Sequence, residues 1–450
     1  MNGTQRTIVP SPPNKCWRIF LVLIPLLALH FLPGPPTAFA LSIEDEKKLG
    51  QKVLANIRRH YEIVDDDFAR DYINDLGSYL IESLETRHFP FHFYIIKDNS
   101  INAFAGPGGH IFFFTALIEV MEEVDELAAV MCHEIGHVSA RHISQRIEYN
   151  KKIGIATMAG MLAGALVGGK MSGAIMTGSM AAGIQKQLNY SRNDERQADQ
   201  LGVSYMDKAG FDPSRIIDAL DPSRIIDALG RLGQGQWLGS GNVPPYLLTH
   251  PAGPERMANI EAMLSDHASK PPKDEAVRFR ADFPLFKTIL RARYLEPHDA
   301  ERLFKRKLEK EPDSALAHLG LGIVMKERSE YVKAIDHLKK ALEGLPGSIV
   351  VLRQMGEVYR LEGQDREAIK ILEQALATDS QDRASLFFLA LSFQNIEEYS
   401  KAVRIYNRLI SMKPVKDEVF YNLGLSYGRQ DKLPLAHYNF GIYFKRLKKP

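Results

Sequence analysis

Cysteine is nearly absent, with two in 450 residues. Cys16 lies in an N-terminal apolar stretch, so once that stretch is removed Cys132 stands alone and no intramolecular disulfide can form. Cys132 then reads as a small buried hydrophobe. An excess of one charge is also missing, since 57 Lys and Arg face 55 Asp and Glu. No basic stripe with interleaved aromatics is visible, which excludes nucleic acid as a partner. Long apolar runs are lacking too. The N-terminal run 19–32 contains Pro25 and His30 and falls short of the roughly 20 residues a membrane span needs. Lys15 and Arg18 precede it and Ala38-Phe39-Ala40 comes after it, so residues 1–40 read as a secretory signal peptide cut after Ala40. No lipobox precedes Cys16, which excludes a lipoprotein. The length exceeds one ordinary core and predicts two domains.

What is present centres on His133-Glu134-Ile135-Gly136-His137. Leu127, Val130, Met131, Ile135 and Val138 recur at helical spacing, and Asp125 is the expected N-cap. On such a helix His133 and His137 sit one turn apart on one face and can hold one zinc ion, with Glu134 beside it to deprotonate a water. Glu195 and Asp199, again four apart, supply a third ligand and a partner for a ligand histidine. Taken alone, the charged segment around Glu195 would be a solvated face. Paired with the first motif, it completes a His, His, Glu set.

Asn102-Ala103-Phe104-Ala105, His133 to His137, Glu195-x-x-Ala198-Asp199 and Thr249-His250-Pro251 together resemble the HtpX/BepA group of gluzincin zinc metallopeptidases over about residues 41–265. Repeats in the C-terminal part of the chain narrow the resemblance to the BepA-like periplasmic proteases.

Taken in order, the mature chain opens on Ser42 as an N-cap and a helix to about His60, then a second helix from about Asp67 to Glu85. Residues 91–97, 101–105 and 110–114 read as three strands of a small antiparallel sheet, whose edge could take an extended peptide. In relatives the Asn-Ala-Phe-Ala strand borders the substrate cleft. Residues 153–184, rich in Gly, Ala and Met, read as a mobile flap or a hairpin touching a membrane surface. Asp212 to Leu220 recurs residue for residue as Asp221 to Leu229, a tandem duplication without chemistry. Pro251 biases His250 to an extended backbone, and its ring is expected either to plug the open zinc position or to stabilise an oxyanion. A surface histidine in a turn is the plain alternative.

Residues 269–280 read as a linker around Pro271-Pro272. Beyond it the period is 34: Ala334, Ala368, Ala402 and Ala436 share one phase, and Gly322, Gly356, Ala390 and Gly424 another. This is similar to tetratricopeptide repeats, with a degenerate first repeat from about Ala281. The expected fold is α+β and mainly helical: a gluzincin-type domain over 41–268, then an all-α tetratricopeptide solenoid over 281–450. The expected activity is zinc-dependent endopeptidase, with His133, His137 and Glu195 on one zinc ion and Glu134, Asp199 and His250 in catalysis. The resemblance implies a Gram-negative periplasm, misassembled outer-membrane proteins as substrates, and the β-barrel assembly machinery as a partner of the repeats. A scaffold or chaperone working through the repeats, with incidental proteolysis, is the reading of another class. A polytopic prenyl-protein protease is excluded, because the hydrophobic runs are too few.

Overall fold

The computed structural model of the protein describes residues 42–149, 191–221, 246, 249–251, 253–265 and 271–447. The expected signal peptide over 1–40, the glycine-rich segment 153–184 and the second copy of the duplication after Asp221 lie outside them. No helix of the described residues is long and apolar enough to cross a membrane.

The first domain opens on helices α1 (Ile43–His60) and α2 (Asp67–Ile81). Ser42 caps the first by accepting from the Asp45 amide at 3.0 Å. Strands β1 (His92–Ile96), β2 (Ala103–Ala105) and β3 (His110–Phe114) come next. The sheet is mixed rather than antiparallel, with order β1-β3-β2 and β1 running parallel to β3. β3 takes the centre with both edges paired, whereas a meander in chain order would put β2 there. The outer edge of β1 is covered by residues 62–64, through Val64 N to Ile95 O at 2.8 Å and Lys97 N to Glu62 O at 2.9 Å. β2 forms the other edge, against the metal-motif helix.

The domain continues with α3 (Thr115–Val120), α4 (Val124–Ser139), α5 (His142–Tyr149), α6 (Arg192–Ala209), α7 (Arg215–Leu220) and α8 (Pro254–Ser265). The N-cap of α4 is Glu123, not the expected Asp125. Glu126 reaches back to accept the Glu122 amide at 2.6 Å, and this starts the helix earlier. Asp125, two positions inside the cap, instead holds Arg280 and accepts from the Asp212 amide at 2.8 Å.

The expected linker over 269–280 is helical from Asp274, because Ala276, Phe279, Phe283 and Phe286 give α9 (Asp274–Tyr294) a face to bury in the first domain's core. Tyr72 donates to the Phe279 carbonyl at 2.8 Å and its ring stacks on Phe286 at 4.4 Å. Further along the same helix, Ile289 and Ala292 belong to the core of the repeats. Paired helices complete the chain: α10 (Pro297–Lys310), α11 (Ala315–Glu327), α12 (Tyr331–Gly344), α13 (Ile349–Leu361), α14 (Asp365–Thr378), α15 (Arg383–Asn395), α16 (Tyr399–Ser411), α17 (Asp417–Gly428) and α18 (Leu433–Leu447). The phased small residues are the packing points. A Cβ on Gly322 would stand 2.7 Å from Leu338 Cγ, and one on Gly356 2.5 Å from Leu372 Cγ. Ala334, Ala368 and Ala402 are fully buried.

Candidate metal centre

Helices α4 and α6 cross closely because their contact is made of small residues. A Cβ on Gly136 would meet the Ala198 carbonyl oxygen at 2.9 Å, and one on Gly202 the His133 amide nitrogen at 3.3 Å. That crossing sets Glu195 over His133 and His137. Their facing Nε2 atoms are 3.0 Å apart, and each lies 3.5 Å from a Glu195 oxygen. His250 Nδ1 completes the group at 3.2 Å from His133 Nε2 and 3.1 Å from Glu195 Oε1. All four residues are buried and offer ligand atoms within 4.8 Å of one another.

The donors fit a metal ion. Ligand atoms about 2.0–2.1 Å from a tetrahedral zinc stand about 3.3–3.4 Å apart, close to the spacings seen. Three imidazoles and a carboxylate suit zinc among the common divalent ions. Electrostatics agree. Despite burial, His250 and His133 hold Glu195 well below the usual carboxylate range. Burial disfavours charge on His133, yet Asp199 and Glu195 push its pKa up to about 9. Buried acids that force a proton onto a histidine are calling for positive charge, which a divalent cation would supply. Burial and the neighbouring His133 depress His137, keeping it neutral as a ligand must be. Glu134 is pushed up by burial, against the pull of His250 and His133.

Residues 69–264 match the family model described as Peptidase family M48, and residues 295–349 and 325–391 match two tetratricopeptide-repeat models. The chain carries a peptidase family M48 domain. It is 24% identical over 394 residues to the beta-barrel assembly-enhancing protease of Yersinia pestis, covering 85% of this chain and 77% of that protein. A putative protein of that name in Vibrio cholerae is 29% identical over 321 residues, covering 70% and 63%. The chain thus spans less than two thirds of the Vibrio relative. Mitochondrial metalloendopeptidase OMA1 of Schizosaccharomyces pombe is 28% identical over 173 residues, 38% of this chain and 46% of that one. The chain is a metallopeptidase with tetratricopeptide repeats.

Around its metal cluster the M48 domain holds partners that spacing does not reveal. Asp199 Oδ1 lies 2.9 Å from His133 Nδ1, which turns Nε2 inward. Arg256 on α8 grips Asp199 with two bonds of 2.8 Å, and its Nη1 lies 2.7 Å from Glu195 Oε2. On the other side, Gln197 Oε1 accepts from His142 Nε2 at 3.0 Å. His142 Nδ1 is then left to accept from His137 Nδ1–H at 2.9 Å, and the His137 Nε2 lone pair points at the cluster. Arg256, His142 and Gln197 are not legible in the sequence. An arginine two residues after Pro254 and a histidine five after His137 carry no local signature. His250 is fully buried in the cluster rather than presented on the surface, and its amide donates to the Tyr246 carbonyl at 2.8 Å. The Pro251 ring crowds the C-terminal side of His250 and leaves that bond intact.

Replacing His142 by alanine or glutamine should lower zinc affinity about 10–100-fold, as loss of a ligand-orienting partner does. Titration of the metal-free protein against a chromophoric chelator reads it. An unchanged affinity in both variants removes the relay.

Proposed function

We propose that this protein is a zinc endopeptidase of the periplasm that degrades misassembled outer-membrane proteins and assists their assembly. The carrying observation is the buried His133, His137, Glu195 and His250 cluster with Glu134 beside it. The names of the Yersinia and Vibrio relatives support the substrate class, and the repeats support contact with assembly machinery. Zinc held by His133, His137 and Glu195 would polarise the scissile carbonyl and lower the pKa of water to about 7. Glu134 takes a proton from the attacking water and hands it to the leaving amine. In an opened form the edge of β2, buried in this structure, would receive the substrate backbone as an added strand, which favours extended chains over a particular sequence.

With zinc bound, His250 would be a fourth ligand in this arrangement, a closed form. Opening requires the His250 ring to withdraw from the cluster. His250→Ala should therefore raise basal cleavage of an unfolded substrate severalfold while zinc stays at one per chain, whereas Glu195→Gln should strip the metal. Loss of activity in His250→Ala with zinc retained would point to oxyanion stabilisation and away from a plug.

The closed cluster also favours a second reading, a scaffold that works through its repeats. A host lacking this protein separates the two: rescue of its outer-membrane assembly defect by Glu134→Gln supports the scaffold, and failure supports the protease.

A further inference from the structure

The outer face of the terminal helix α18 breaks a rule that the earlier repeats keep. Counting back from Leu435 in steps of 34 gives Lys401, Glu367 and Lys333. From Tyr438 the same steps give Arg404, Lys370 and Asp336, and from Ile442 they give Arg408, Gln374 and Lys340. In α12, α14 and α16 these positions are all polar and stand at the surface, as an outward helix face in water should. In α18 all three are apolar, yet Leu435 is 45% and Tyr438 67% exposed. From Leu433 to Phe444 the helix carries no charged residue. A further repeat would not cover this stripe, because α12, α14 and α16 are each followed by one that leaves these positions outside. Positive charge comes directly after it, with Lys445 and Arg446 and then, in sequence, Lys448 and Lys449. Arg446 reaches Asp417 on α17, whereas Lys445 is exposed and has no ion-pair partner among the described residues. Residues 413–450 hold eight Lys and Arg against three Asp and Glu, in a chain whose totals of 57 and 55 nearly balance.

We propose that α18 is a lipid-docking element, which lays Leu435, Tyr438 and Ile442 into the headgroup region of an anionic membrane while the basic residues at its C-terminal end meet the phosphates. Spacings of three and four residues put the three side chains on one stripe of the helix. Leucine and isoleucine gain there by leaving water. Tyrosine suits the interface, because its ring is apolar and its hydroxyl can stay wet. Lysines and arginines beside such a stripe draw it to anionic lipid. A second copy of the chain is a poorer occupant. Each side chain offers at most about 250 Å² and is only partly exposed, whereas a stable dimer buries about 800 Å² per partner. The far end of the solenoid is thereby tied to the membrane, while its first repeats stay joined to the peptidase domain through α9. The proposal is independent of the metal site.

The test is co-sedimentation of the full chain with vesicles of phosphatidylcholine, alone or mixed with phosphatidylglycerol. The wild type should partition onto the mixed vesicles, and less so at high salt. Leu435→Glu/Tyr438→Lys/Ile442→Gln gives α18 the residues that α14 carries at these positions and leaves the net charge unchanged. It should lower partitioning by at least about tenfold. Leu435→Glu/Tyr438→Lys, which spares the half-buried Ile442, should act in the same direction and covers any folding defect of the triple change. Lys445→Gln/Lys448→Gln/Lys449→Gln should remove the preference for phosphatidylglycerol. Equal partitioning of the wild type and both stripe variants places the binding elsewhere in the chain and overturns the proposal. So does a wild type that leaves the vesicles unbound, including one found as a dimer that the same substitutions dissolve. Binding as strong to phosphatidylcholine alone overturns it too.

Discussion

Glu134→Gln should keep zinc at one per chain and cut peptide-bond cleavage by about 10²–10⁴-fold, the contribution expected of a general base. The substitution keeps the shape of the side chain and removes its ability to take a proton. Glu134 is fully buried on α4, its neighbours in sequence pack into the core, and it is not one of the four clustered ligand residues. The Ala105 backbone is a hydrogen-bond partner of its carboxyl and His250 Nε2 lies 3.5 Å from Oε1, contacts that the oxygen of an amide can still accept. Its carboxyl already sits above the usual range, which brings its proton affinity nearer to that of the group it must serve. Metal analysis and a quenched-fluorescent unfolded substrate read the two effects separately. Loss of zinc along with activity would move Glu134 from proton transfer to metal retention. Full activity would falsify the assignment.

Arg256→Ala should be the most damaging change outside the ligands. The guanidinium is 8% exposed and faces two carboxylates that are 2% and 4% exposed. Removing one member of a buried charge network leaves the others uncompensated and costs about 3–5 kcal/mol. In urea the unfolding midpoint should fall at an unchanged slope. Zinc affinity should drop as well, because Asp199 loses the two bonds that aim it at His133. Arg256→Lys should recover only part of either loss, since an ammonium cannot form the paired contact with Asp199 while reaching Glu195. A midpoint within experimental error of wild type would show that the network closes without the arginine.

The parts of this architecture visible in the sequence are those in which chemistry repeats at a local spacing. Four residues separate His133 from His137 and Glu195 from Asp199, one helical turn each, and both pairs share a helix face with their partner. The 34-residue phase of small residues is likewise a packing rule repeated, since each lets a helix approach its neighbour. What escaped depends on partners distant in the chain. Asp125 has the look of an N-cap, and Arg280 and the Asp212 amide, 155 and 87 residues on, explain its burial. β1 has the alternation of a strand, but its parallel pairing with β3 rather than with its neighbour in sequence, β2, is a property of the assembled sheet. His142 and Arg256 act through residues that are themselves ligands or hold ligands, one step further than any motif reaches.

Helix α9 is a strut between two cores. Twenty-one residues at 1.5 Å each make it about 30 Å long, with one stripe fixed in each domain. Its cations grip the loop leading into the metal-bearing helix: Lys287 donates to the carbonyls of Glu119 and Met121, and Arg280 holds Asp125 in the first turn of α4. A torque applied to the repeats, as when a bound chain is pulled, is therefore borne by the root of the helix that carries His133, Glu134 and His137. Mechanical load on one half of the molecule has a continuous route to the cluster residues in the other.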